Sequence, residues 1–164
     1  MAIEQFTGIL AAVVTPFSAD GSAVDEAGIR RQADHILGNG IHGLVPGGST
    51  GEFTTLTIAE RKRAAECYIE AAAGRGPVVV GTGALYTADT VELSKHANDA
   101  GAAAVMVVPP FYDRPSWDEL LAHFGAVSDA IDIPIMYYNL PSNTGVDLTP
   151  EQFRGLAETM REFT

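Results

Sequence analysis

The sequence predicts an α/β protein built from βα units around a parallel sheet. Short apolar runs alternate five times with longer stretches of helical periodicity, the pattern of strands joined by covering helices. The runs are almost continuously apolar, as in strands covered on both faces. The helical stretches also carry recognisable starts and stops.

Taken in order, the first strand is expected over residues 9–15 and the first helix over 25–39, with Gly40 where a helix C-terminal glycine belongs. The second strand, 43–46, leads through a glycine-rich turn to a helix over 57–73. Thr57 and Glu60 have capping-box spacing there, and Gly74 follows. Residues 77–81 and 87–100 make the third unit, closed by Gly101, and 104–108 with 116–130 make the fourth, whose Ser116 and Glu119 repeat the box. The fifth strand, 133–139, precedes a helix over 149–162. Thr149 and Gln152 cap it, Pro150 takes the first position, and Leu148 and Phe153 have the spacing of a hydrophobic staple.

At 164 residues and 46% hydrophobic content the chain can bury a real core. No linker, low-complexity tract or solenoid repeat divides it, so residues 1–164 are expected to form a single domain. A formal charge of −11, with only ten Lys and Arg, argues against binding to nucleic acid or an anionic membrane. No run has the length and apolarity of a signal peptide or a bilayer span, and a single cysteine, Cys67, excludes an internal disulfide. A reducing, cytoplasmic setting is the expectation, with Cys67 as a buried apolar thiol.

Chemistry is expected at the C-terminal ends of the strands. Gly47-Gly48-Ser49-Thr50-Gly51-Glu52 offers backbone amides and two adjacent hydroxyls able to hold a small carboxylate; the alternative is an ordinary βα loop. Tyr138 closes the fifth strand and is expected to face the sheet mouth, with Tyr137 on the other side; the alternative is a core tyrosine with a wet tip. Residues 108–116 form a proline-stiffened aromatic loop carrying Tyr112. Gly81-Thr82-Gly83-Ala84 reads as a loop allowing close backbone approach, without dinucleotide spacing. His35, His42, His96 and His123 lack metal-ligand spacing, so no metal site is expected. Glu52 is expected to orient its own loop. Lys62 and Lys95 lie on helical patterns expected to face solvent.

The segments Gly48-Ser49-Thr50-Gly51-Glu52 and Tyr137-Tyr138-Asn139-Leu140-Pro141-Ser142-Asn143-Thr144-Gly145 together give a chain that resembles the dihydrodipicolinate synthase and N-acetylneuraminate lyase family of pyruvate-dependent class I aldolases. The resemblance implies a TIM (β/α)8 barrel of which about the first five βα units are present, a single partial barrel domain without its C-terminal strands, since the complete fold runs to about 250 residues. It implies a lyase acting through a Schiff base on pyruvate or another 2-keto acid, without a cofactor. Gly48, Ser49 and Thr50 would hold the carboxylate and Tyr138 would be the acid/base. Tyr112 would cross into a partner subunit and join Ser49 and Tyr138 in a hydroxyl relay, making a homodimer or homotetramer the working form.

The family's imine-forming lysine lies on the sixth strand, which the resemblance puts just after Thr164, so the chain is expected to be a C-terminally truncated member. A catalytically inert half-barrel that binds a keto acid or self-associates is the competing expectation. Asn143 stands where the lysine-biosynthetic synthases usually carry arginine, which leaves room for an aldolase or dehydratase acting on sugar-derived keto acids.

Overall fold

The protein is described by a computed structural model over residues 6–160. Its elements run β1 (Leu10–Ala12), α1 (Glu26–Gly38), β2 (Gly43–Val45), α2 (Ile58–Ala72), β3 (Val79–Gly81), α3 (Thr87–Ala100), β4 (Ala104–Val107), α4 (Trp117–Ala130), β5 (Ile135–Tyr137), α5 (Pro141–Thr144) and α6 (Pro150–Thr159). Pairing is parallel and sequential. Leu10 pairs with Gly43, Val79 with Ala104 and Val105 with Ile135, while a bridge from Leu44 to Val78 joins the β1–β2 and β3–β5 groups. The sheet order is thus that of the chain, with every reactive loop at the same end.

Glycine makes the β2–β3 junction possible. A Cβ at Gly76 would collide with the His42 carbonyl, and one at Gly81 with the Gly47 carbonyl. The two backbones therefore approach at both ends of the pair as only glycine allows. The core lies between sheet and helices. Ile29 and Ala33 of α1, Tyr68 of α2, Ala97 of α3, and Phe124 and Val127 of α4 are fully buried with Leu44, Val79, Val105 and Ile135 of the strands. Cys67 is buried among them, and burial raises its thiol pKa.

The helix starts follow the sequence closely. Thr57–Glu60, Ser116–Glu119 and Thr149–Gln152 all form reciprocal capping boxes, and Asp25 accepts from the Gly28 amide. Gly40, Gly74 and Gly101 all have positive φ. Helix α3 is the exception, since Tyr86 at its cap makes no side-chain bond. The end expected for the last helix, residue 162, lies outside the described residues.

The strands depart further from expectation. Each is shorter than its apolar run, because regular pairing stops where the loops diverge. Burial in the first strand alternates: Val13 and Thr15 are buried, whereas Ala12 and Val14 are exposed. Among the described residues β1 has one neighbour, and one face of it is uncovered. The short helix α5, which begins at Pro141, and two 3-10 turns over Ser49–Gly51 and Phe53–Thr55 lie in segments expected to be loops. No helix of the described residues is long and apolar enough to cross a membrane.

Candidate active site

A cavity of about 250 Å³ opens at the C-terminal ends of β2 to β5. Gly47, Gly48, Ser49 and Glu52 form one wall, and Gly81 and Gly83 form the next. Met106, Val108 and Phe111 follow, and Tyr138, Leu140 and Asn143 complete the ring. Four successive βα connections therefore converge on one space.

The turn after β2 is fixed from two sides. Gly47 has φ +73°, a left-handed conformation that turns the chain sharply, and a Cβ there would come within 2.8 Å of the Gly81 carbonyl. Within the turn the Gly51 amide donates to the Gly48 carbonyl at 3.0 Å and the Glu52 amide to the Ser49 carbonyl at 3.1 Å. From outside, the buried Thr15 hydroxyl donates to the Gly51 carbonyl at 2.7 Å. Glu52 holds a left-handed conformation at φ 53°. It is the Glu52 carbonyl, rather than the carboxylate, that accepts from the Thr55 amide and hydroxyl. Its exposed carboxylate stands at the cavity edge, which departs from the expected loop-orienting role.

The fifth strand delivers the two tyrosines to opposite sides, as its alternation requires. The Tyr138 amide donates to Val107 at 2.9 Å, and its half-buried side chain lines the cavity. Tyr137 packs on the helix side, its ring centre 5.2 Å from that of Phe124 and 5.7 Å from that of Phe153. Burial, with a contribution from Asp147, pushes its phenol up to about 12. Beyond β5, the Asn143 amide and the Thr144 hydroxyl both bond the Leu140 carbonyl at 3.0 Å, which holds α5 so that Asn143 reaches the cavity.

Of the residues singled out in the sequence, the structure gathers Gly48, Ser49 and Tyr138 around the cavity. Thr50 is exposed beside it and is not among the lining residues. Tyr112 is 86% exposed, and Phe111, its neighbour, takes the cavity position, meeting Phe53 edge-on at 5.7 Å. The lining contains no lysine, arginine or histidine. Lys95 is exposed and pairs with Asp99 at 3.6 Å. Lys62 is more buried than its pattern predicts, because it bonds Glu92 of the neighbouring helix at 2.6 Å.

Two contributors were not apparent from the sequence. Thr15 ends the β1 region, where its hydroxyl looked like one more strand residue. Arg61, within an apparently solvent-facing basic triplet, is 8% exposed and donates to the carbonyls of Gly81 and Gly83. Burial lowers its guanidinium to about 10, with Asp89 opposing, so it keeps its charge at neutral pH. His123 is also buried, bonded through Nδ1 to the Thr87 hydroxyl at 2.9 Å, and burial holds it down at about 4. It lies away from the cavity lining.

Comparison with known proteins gives this geometry relatives. Residues 5–162 match the profile of the dihydrodipicolinate synthetase family. The 4-hydroxy-tetrahydrodipicolinate synthase of Methylobacterium radiotolerans is 47% identical over 155 residues, covering 94% of this chain and 51% of that protein. A prophage protein of the dihydrodipicolinic acid synthase family from E. coli K12, solved in complex with pyruvate, superposes with a TM-score of 0.91 at 40% identity over 96% of this chain and 52% of its own. The dihydrodipicolinate synthase of Acinetobacter baumannii, also complexed with pyruvate, gives 0.87 at 36% identity over 92% and 52%. The chain spans about half the length of the curated relatives it matches. Its βα units match the N-terminal half of their barrels.

Proposed function

The chain belongs to the dihydrodipicolinate synthetase family, and we propose that its strand-end cavity is the 2-keto-acid site of a pyruvate-dependent Schiff-base lyase. The observation that carries this reading is the convergence of the Ser49 turn and Tyr138 on one cavity of about 250 Å³, large enough for a three-carbon acid and a second small substrate. The pyruvate bound in two similar structures supports it.

In this reading the carboxylate lies on the Gly48–Thr50 turn. The opening amides of a helical turn have no partner inside it, and the hydroxyls of Ser49 and Thr50 add donors. Imine formation removes the keto oxygen as water, so a proton must reach that oxygen and another must leave C3 to give the enamine. Tyr138 is the group assigned to move them. The enamine carbon then adds to an aldehyde, or the reverse step cleaves a longer 2-keto acid. Tyr112, exposed and outside its own chain's cavity, suits a role in a partner subunit's site within a homodimer or homotetramer. Asn143 in the lining offers an amide for a hydrogen bond to the second substrate.

The amine is the missing element. Neither Lys62 nor Lys95 lines the cavity, so the reading requires a lysine supplied by polypeptide outside residues 1–164. The same observation favours a second reading, in which this chain binds a keto acid or associates with itself without turnover.

Borohydride reduction with pyruvate, followed by intact-mass analysis, tests both readings. The expected result is reversible pyruvate binding without a covalent adduct on the 164-residue chain, and an adduct once a strand-end lysine is supplied by further βα units. An adduct on Lys62 or Lys95 accompanied by turnover would overturn the assignment of the amine. Absence of any pyruvate binding would remove the keto-acid site.

A further inference from the structure

Arg61 is the one buried charged side chain among the described residues. It lies in the first turn of α2 in a basic triplet whose other members find carboxylates: Lys62 meets Glu92 at 2.6 Å, and Arg63 meets Glu26 at 2.7 Å. Arg61 instead turns inward. Its Nη2 donates to the carbonyls of Gly81 at 3.1 Å and Gly83 at 3.0 Å, and its guanidinium carbon stands 5.0 Å from the centre of the Phe53 ring. Gly81, Gly83 and Phe53 all line the cavity, and Phe53 braces Phe111, another lining residue. Arg61 therefore touches the cavity from behind its walls.

A buried guanidinium is costly to desolvate, and the Arg61 Nε has no hydrogen-bond partner. An apolar side chain of similar length would fill the space without that cost, so packing alone does not account for arginine. The turn it holds has glycine at residues 81 and 83, and the side chain between them, Thr82, is bonded at 2.8 Å to Ser94 of α3 rather than to the wall that carries Phe53. A planar group that donates to two carbonyls two residues apart and lies over an aromatic ring restricts the backbone freedom of the two glycines and ties the turn to the adjacent wall.

We propose that Arg61 is a positioning residue that locks the turn after β3 to Phe53 and thereby sets the shape of the cavity between the β2 and β3 connections. Its effect on ligand affinity rests on the reading of that cavity as a 2-keto-acid site. The geometry it enforces does not.

Hydrogen–deuterium exchange on the 164-residue chain separates the two. The reporters are the Thr82 amide, bonded to Met106, and the Ala84 amide, bonded to Thr90. In Arg61→Met, which keeps the apolar stem, both are expected to exchange about tenfold faster while α1 and α4 keep the parent rates. Pyruvate affinity is expected to fall about tenfold alongside, and Arg61→Lys, which retains a donor for the two carbonyls, to recover part of both. Unchanged exchange at Thr82 and Ala84 in Arg61→Met overturns the proposal. Uniform acceleration across the chain, or failure of both variants to fold, makes Arg61 a residue of general stability and overturns it equally. Local acceleration in a parent chain that binds no pyruvate leaves the positioning role standing and removes the keto-acid reading.

Discussion

The hydroxyl of Thr15 and the backbone carbonyl of Gly51, 36 residues apart, share a buried hydrogen bond of 2.7 Å. It anchors the end of the first strand region to the turn that carries Ser49. Thr15→Val keeps the branched shape but leaves that carbonyl without its donor, which costs about 1–3 kcal/mol for a buried acceptor. Urea unfolding is expected to show this loss, and pyruvate titration a weaker site. Normal stability would mean that the carbonyl finds another donor and that the bond does not hold the turn.

Ser49 lines the cavity, and Thr50 is its exposed neighbour. Ser49→Ala and Thr50→Val are each expected to weaken pyruvate binding by an amount typical of one hydrogen bond to a charged group, about 1.5–3 kcal/mol. Calorimetric titration of both variants measures it. Parent-like affinity in both would make the segment a structural loop whose backbone alone matters.

Tyr138→Phe, made in a form of the protein competent for turnover, is expected to keep the fold and to lower the rate about a hundredfold, the lower range for loss of a general acid/base. The fold should survive because the strand is held by the Tyr138 amide, not its phenol. Near-parent turnover would take Tyr138 out of the proton path.

His123 gives a pH signature. Its pKa falls from the ordinary 6.5 to about 4 because burial penalises the charged ring. The unfolded chain therefore binds the proton first as pH drops. The stabilisation is fully present above about 6.5 and is lost progressively toward pH 4, roughly 3 kcal/mol in all. Thermal melts of the parent and His123→Gln across that window check it, and the variant should show a flatter dependence. Equal slopes would mean that His123 titrates normally.

Gly81 and Gly125 should respond oppositely to alanine. At Gly81 the added methyl meets the Gly47 carbonyl, whereas at Gly125, inside α4, nothing lies within 4 Å. Gly81→Ala is expected to destabilise by about 1–3 kcal/mol through overpacking. Gly125→Ala is expected to stabilise by up to about 1 kcal/mol through helix propensity. Chemical denaturation of the two variants decides, and a neutral Gly81→Ala would show that β2 and β3 can separate without cost.

The helices were readable because their signals are local. A cap and its partner lie three residues apart, and Ser116–Glu119 needed nothing else. That Ser49 and Tyr138 would stand at strand ends was readable from the apolar runs that precede them, and both line the cavity. Arg61 was hidden, since its burial depends on carbonyls 20 and 22 residues further along the chain. Thr15 was hidden for the same reason. Strand lengths were overestimated because apolarity marks what is buried, while pairing depends on where neighbouring backbones part. Exposure at Ala12 and Val14 reflects which units cover the sheet, a property that no window of sequence around them contains.

The sequential order of the sheet bears on how the molecule is made. Helix α1 packs on α2, α2 on α3 and α3 on α4, and each strand pairs with its successor. Among the described residues each new βα unit thus docks on a surface already translated. Assembly can follow the ribosome unit by unit, with short closure distances and little entropy spent on remote contacts.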